Sequence, residues 1–305
     1  MKIASLIPAA TEIVYALGRG DELIGVTDEC DFPSDAVTKP VISRSALPHG
    51  RRPLSAREID DAVRERLGEH QPLYALDREL LRREQPDLIL TQDICRACGV
   101  PPGQDRRALE ELGTPDAEVR SLDPRTLEEV FAAIDAVGEA IGEGAKAAAL
   151  TALLRSRTER VKEIAVRLPT VGVLCLEWSE PPFAAGRWIP EMVEAVAGVN
   201  LLSAKGEPSR EVAWHQVRDA TPEVVVFMPC GYYLEEAEEE LQRLLEQPEF
   251  AATPAARNGH IFAVDAASFF SRPGPRIVDG LETLAWAIHP EAYPEPPAGS
   301  ITRVR

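Results

Sequence analysis

The chain has 305 residues, with 33 Lys and Arg against 50 Asp and Glu, a formal net charge of −17 and a pI near 4.8. That balance repels phosphate backbones and anionic lipid surfaces, which argues against nucleic acid and membrane surfaces as partners. With 45% hydrophobic and 27% charged residues it has the composition of a folded globular protein. Its length exceeds what one hydrophobic core usually supports, so two domains are expected.

The N-terminus, Met1-Lys2-Ile3-Ala4-Ser5-Leu6-Ile7-Pro8, reads as one short apolar strand with no basic leader and no small-residue cleavage site. No stretch of about 18 apolar residues suits a membrane span. The expectation is therefore a cytoplasmic chain whose five cysteines stay reduced, where metal binding or reactivity is commoner than disulfides.

Short β-branched runs alternate with helical stretches along the first half. Ile3 to Ile7 reads as a strand, Thr11 to Leu17 as a helix closed by Gly18, and Leu23 to Val26 and Leu88 to Thr91 as further strands. From Pro124 to Val166 the apolar spacing is helical through Leu127, Val130, Phe131, Ile134, Val137 and Ile141, with a weak point at Gly142-Glu143-Gly144. A helix of about 40 residues is ~60 Å long, which suits a stiff linker between domains. The α/β alternation resumes after Pro169. Thr170 to Leu176, Val224 to Met228 and Ile261 to Val264 read as strands, and Glu191 to Ala197, Leu234 to Leu245 and Leu281 to Ile288 as helices. The domains expected are residues 1–123, a linking helix at 124–167, and residues 168–305. The fold class is α/β, with two Rossmann-like lobes of parallel-type sheets joined by a single long helix.

Ligands of open α/β sheets bind beyond the carboxyl ends of the strands. Cys30 follows the second strand, Cys95 and Cys98 follow Leu88 to Thr91, and Cys230 follows Val224 to Met228. Thiolates gathered from these positions suit zinc, an iron–sulfur cluster or a cobalt centre, and a redox role for the Cys95/Cys98 pair is an alternative. Scattered small apolar residues in turns are the plain reading of the same cysteines. Cys175, inside an apolar run, reads as core.

Trp178, Trp188 and Trp214 fall in loops or element ends, where planar side chains suit a large, flat, partly apolar ligand; the plain reading is that they plug loops. In the loop after Ile261 to Val264, Ser271, Arg272 and Arg276 are candidates, Arg272 as a forked donor to a carboxylate, phosphate or amide. Thr11 and Glu12 sit near a predicted helix start that supplies amide donors, and Glu29 follows the second strand. There is no phosphate-binding Gly-x-x-x-x-Gly-Lys loop, no Gly-x-Ser-x-Gly elbow and no His-Glu-x-x-His pair.

Ser5-Leu6-Ile7-Pro8-Ala9-Ala10-Thr11-Glu12-Ile13, the Pro86-Asp87-Leu88-Ile89 strand entry and the linking helix resemble the class III substrate-binding proteins of ABC importers, which include vitamin B12 and ferric-siderophore receptors. Glu29-Cys30-Asp31, Leu90 to Cys95, Pro229-Cys230-Gly231 and Ser271 to Arg276 resemble leaderless bacterial proteins labelled cobalamin-binding. The resemblance implies a corrinoid or other metal-bearing ligand held in a cleft between the lobes, binding rather than catalysis, and an ABC permease as a partner. The sequence reading leaves one alternative open, an intracellular metalloprotein or enzyme whose zinc or iron–sulfur centre is held by Cys30, Cys95, Cys98 and Cys230.

Overall fold

A computed structural model describes residues 1–48, 54–92 and 113–304. The chain divides into two compact units, 1–123 with 131–151, and 124–130 with 152–305.

In the first unit, strands β1 (Ile3–Ser5), β2 (Leu23–Thr27), β3 (Val41–Ser45), β4 (Tyr74–Leu76), β5 (Leu88–Thr91) and β6 (Glu118–Ser121) form one sheet in the order β4-β3-β2-β1-β5-β6. All neighbours are parallel except β3 and β4. Helices α1 (Pro8–Ala16), α2 (Ala56–Gly68) and α3 (Arg78–Glu84) belong to this unit. β1 and β5 are buried along their whole length, as parallel strands covered on both faces must be. Ala4, Ile42, Leu80, Leu81 and Ile89 pack together on one side of this sheet.

The segment expected as one linking helix is two, α4 (Leu127–Ala140) and α5 (Gly144–Ala165). The break lies at Gly142, whose φ of 73° is the left-handed conformation that ends a helix, so the weak point in the sequence is a true turn. The two helices fold back on each other: Thr151 Oγ1 donates to Asp135 at 2.9 Å, and Arg155 pairs with Glu128. The unit boundary passes through both helices.

The second unit adds α6 (Ile189–Ala195), α7 (Trp214–Asp219), α8 (Leu234–Leu244), α9 (Pro248–Ala251), α10 (Pro254–Asn258), α11 (Ala266–Phe269) and α12 (Ile277–Ile288). Its sheet comprises β7 (Val171–Ser179), β8 (Pro182–Ala184), β9 (Gly198–Asn200), β10 (Arg210–Glu211), β11 (Val224–Phe227), β12 (Ile261–Val264) and β13 (Ile301–Val304), in the order β10-β8-β7-β11-β12-β13 with β9 also on β7. β7, β9, β11 and β12 are parallel, while β8 pairs antiparallel with both β7 and β10 and β13 pairs antiparallel with β12, so both sheets are mixed rather than purely parallel. The two-residue side-chain period divides this core. Leu174, Leu176, Val225, Phe227, Ile261 and Ala263 point to the side of α7 and α8. Phe262 packs edge-on against Trp286 of α12 on the other side, at 6.2 Å. Cys175 is a core residue as expected, and burial pushes its thiol pKa up.

Candidate functional site

Strand order locates the switch points where α/β sheets hold ligands. In the first unit successive strands add on one side of β1 and then, from β5, on the other, so the switch lies at the carboxyl ends of β1 and β5. In the second unit β9 and β11 flank β7, which puts it at the ends of β7 and β11.

The second switch point is the more elaborate. A β-bulge interrupts the pairing of β7 with β8: Leu176 faces Ala184 and Trp178 faces Phe183, leaving Glu177 as the extra residue. The loop after β11 is fastened to this bulge, with Met228 N donating to Leu176 O at 2.8 Å and Cys230 N to Glu177 O at 3.1 Å. Trp178 meets Tyr232 edge-on at 5.5 Å. Tyr232 O in turn accepts from Ala267 N at 2.9 Å, which ties in the segment after β12, and Arg272 Nη2 donates to Tyr233 Oη at 3.5 Å. Arg276 lies over the Phe269 ring at 5.5 Å. Below the surface, the buried Glu240 carboxylate accepts from Ser179 Oγ and from Arg243, each at 2.6 Å, and so joins α8 to the end of β7.

Two acids here hold their protons more tightly than the free side chains do. Burial pushes the Glu177 carboxyl above the usual range, against the Ser209 hydroxyl and the Arg187 charge. Burial together with Glu240 and Glu236 pushes the Tyr232 phenol up to about 12. This end of the sheet is thus aromatic and offers donors from tyrosine and arginine.

The predicted candidates divide accordingly. Trp178 is half-buried at the switch point, and Ser271, Arg272 and Arg276 lie in the segment after β12, with Arg272 only 8% exposed. Trp188 is 5% exposed and donates its Nε1 to Phe270 O at 3.0 Å, so it braces that segment from inside and offers no ligand wall. Trp214 packs edge-on against Phe250 at 6.1 Å. Phe250 lies in α9, between the carboxyl end of β11 and the start of β12 beyond α8, and therefore toward the amino ends of the strands.

In the first unit, Pro8 takes the first helical position and starts α1 earlier than predicted, which places Thr11 and Glu12 inside the helix. Both are buried, and Thr11 Oγ1 donates to Ser5 Oγ at 2.8 Å and lies 3.1 Å from Cys30 Sγ. Glu29 is exposed, with Oε1 accepting from Tyr74 Oη at 3.4 Å.

The cysteine centre finds no support. No group of three or more His, Cys, Asp or Glu side chains able to hold a metal occurs among the described residues. Cys30 is buried between the Thr11 and Thr27 hydroxyls and Cys230 is exposed, while Cys95 and Cys98 lie outside the described residues. A shallow depression of about 510 Å³ beside Lys162, Leu168, Thr170 and Ala197 lies at the amino end of β7, the opposite end of the strand from the switch point. Among the described residues no helix is long and apolar enough to cross a membrane.

Tyr232 and Tyr233 were not among the predicted site residues. Their signal in the sequence is an aromatic pair directly after Pro229-Cys230-Gly231 at a strand end.

A two-lobe α/β protein with ligand-type switch points is the architecture of a substrate-binding protein. Residues 3–267 match the periplasmic binding protein family model, and the chain belongs to that family. An ABC transporter substrate-binding lipoprotein of Bacillus subtilis is 24% identical over 304 residues, covering 96% of this chain and 82% of the relative. A vitamin B12-binding protein of Vibrio cholerae is 25% identical over 291 residues, covering 93% and 87%. A periplasmic heme-binding protein of Pseudomonas aeruginosa has the same fold, with a TM-score of 0.73 at 21% identity over 100% of this chain and 99% of that one.

Proposed function

We propose that this protein binds a metal-bearing organic ligand, with a corrinoid of the cobalamin type as the first choice and heme as its competitor, and that it hands the ligand to an ABC permease. The observation that carries the proposal is the β7/β11 switch point, where Trp178 and Tyr232 form an aromatic pair beside Tyr233 and Arg272. A large planar ligand needs apolar area with a few fixed polar groups, and this end of the sheet supplies both. The vitamin B12-binding relative and the heme-binding structural neighbour support the ligand class. In this reading the strand-end residues of the second unit, Trp178, Tyr232 and Arg272, dominate affinity.

The test is titration of purified protein with cyanocobalamin and with hemin, followed by absorbance and calorimetry. Stoichiometric binding of cyanocobalamin, weakened by Arg272→Ala, is the expected result. Binding of hemin alone moves the assignment to porphyrins, and binding of neither overturns the proposal.

A further inference from the structure

Trp178 has an unusual polar end. Its indole Nε1 is closed off from solvent and has no hydrogen-bond partner. Trp188 donates to Phe270 O, and Trp214 Nε1 lies 3.1 Å from the Gln247 side-chain oxygen in the amide orientation that satisfies both groups. Trp178 carries the one buried indole N–H left unpaired among the described residues. A buried donor without an acceptor is destabilising, and a fold that retains one commonly does so where a missing partner completes it. This one lies next to a β-bulge at a switch point, and bulges re-aim side chains beside functional sites. Trp178 as a whole is only partly buried, so part of its surface is open at the strand end.

We propose that Trp178 binds the ligand through its indole N–H as well as its ring, turning on binding to donate to an acceptor oxygen on the ligand's rim. This rests on the ligand reading above. The chemistry it selects is a flat ligand edged with carbonyl or carboxylate oxygens, which a corrinoid supplies as amides and a porphyrin as carboxylates.

The experiment compares wild type with Trp178→Phe, which keeps an aromatic ring against Tyr232 and removes the N–H. Cyanocobalamin and hemin are the probes, and ¹⁵N-indole NMR with diamagnetic cyanocobalamin or zinc protoporphyrin follows the N–H directly. The expected result is a loss of about tenfold in affinity for whichever probe the wild type binds, equivalent to ~1.4 kcal/mol. The Trp178 N–H signal should also move downfield and exchange more slowly in the complex. Equal affinity of the two proteins, or an N–H signal that stays in place while the ligand binds, overturns this inference and leaves the ligand reading intact. If Trp178→Phe fails to fold, the indole signal of the wild type decides alone. A wild type that binds neither probe overturns both.

Discussion

Tyr232 and Glu177 lie at adjoining strand ends, and each holds its proton more tightly than the free side chain does. For an acid, a pKa higher in the folded than in the unfolded chain means that the fold retains a proton the unfolded chain has released. Stability then falls as pH rises through that window. For Tyr232 the window runs from about 10 in the unfolded chain to about 12 in the fold. An ultraviolet titration of the tyrosines is expected to show a late phenol that is absent from Tyr232→Phe. For Glu177 the loss begins just above the ordinary carboxylate range, so Glu177→Gln is expected to be more stable than wild type in urea at pH 7 and equal to it at pH 4. No sequence pattern announces either shift, because the largest cause of both is burial, which only the folded packing creates. The same limit separates Trp178 from Trp188. Each is a loop-proximal tryptophan in the sequence, and only the Phe270 carbonyl, 82 residues away, shows Trp188 to be a brace.

At the scale of elements, the strands that read clearly are the buried ones. β1, β2, β5, β7, β11 and β12 are apolar runs because both faces are covered. β6 reads Glu-Val-Arg-Ser and is largely exposed, and β8, β9 and β10 have only two or three residues, so none has a periodicity to detect. The broken linking helix was half legible: Gly142 marked the weak point, but the return of α5 along α4 depends on tertiary pairs such as Thr151 with Asp135. Element packing also fixes the segment that carries Arg272. A Cβ at Gly280 would meet the Phe269 carbonyl oxygen at 2.3 Å, so α12 presses directly on the backbone before Ser271. Gly280→Ala is expected to destabilise by roughly 1–3 kcal/mol and to weaken ligand binding, whereas Gly68→Ala, with nothing within 4 Å of its added Cβ, serves as the neutral control. Thermal melts of the two variants check the stability difference.

For the molecule as a whole, a formal charge of −17 spreads self-repulsion over the folded surface. Salt screens that repulsion, so raising sodium chloride from low millimolar to about 0.5 M is expected to raise Tm by on the order of a few degrees. A calorimetric scan at both salt concentrations checks it, and a fall in Tm would mean that the ion pairs, Arg157 with Asp279 and Glu282 foremost, outweigh the net charge. The helical hairpin has a separate consequence. The polypeptide passes between the two units three times, after Asp123, after Val130 and after Thr151. No single scission of the backbone therefore releases either lobe intact. A fragment ending at Asp123 forfeits Phe131, Ile134, Val137 and Ile141, all buried within its own unit. Neither lobe is an exchangeable cassette, and a shuffled or truncated gene would have to carry both helices with each half.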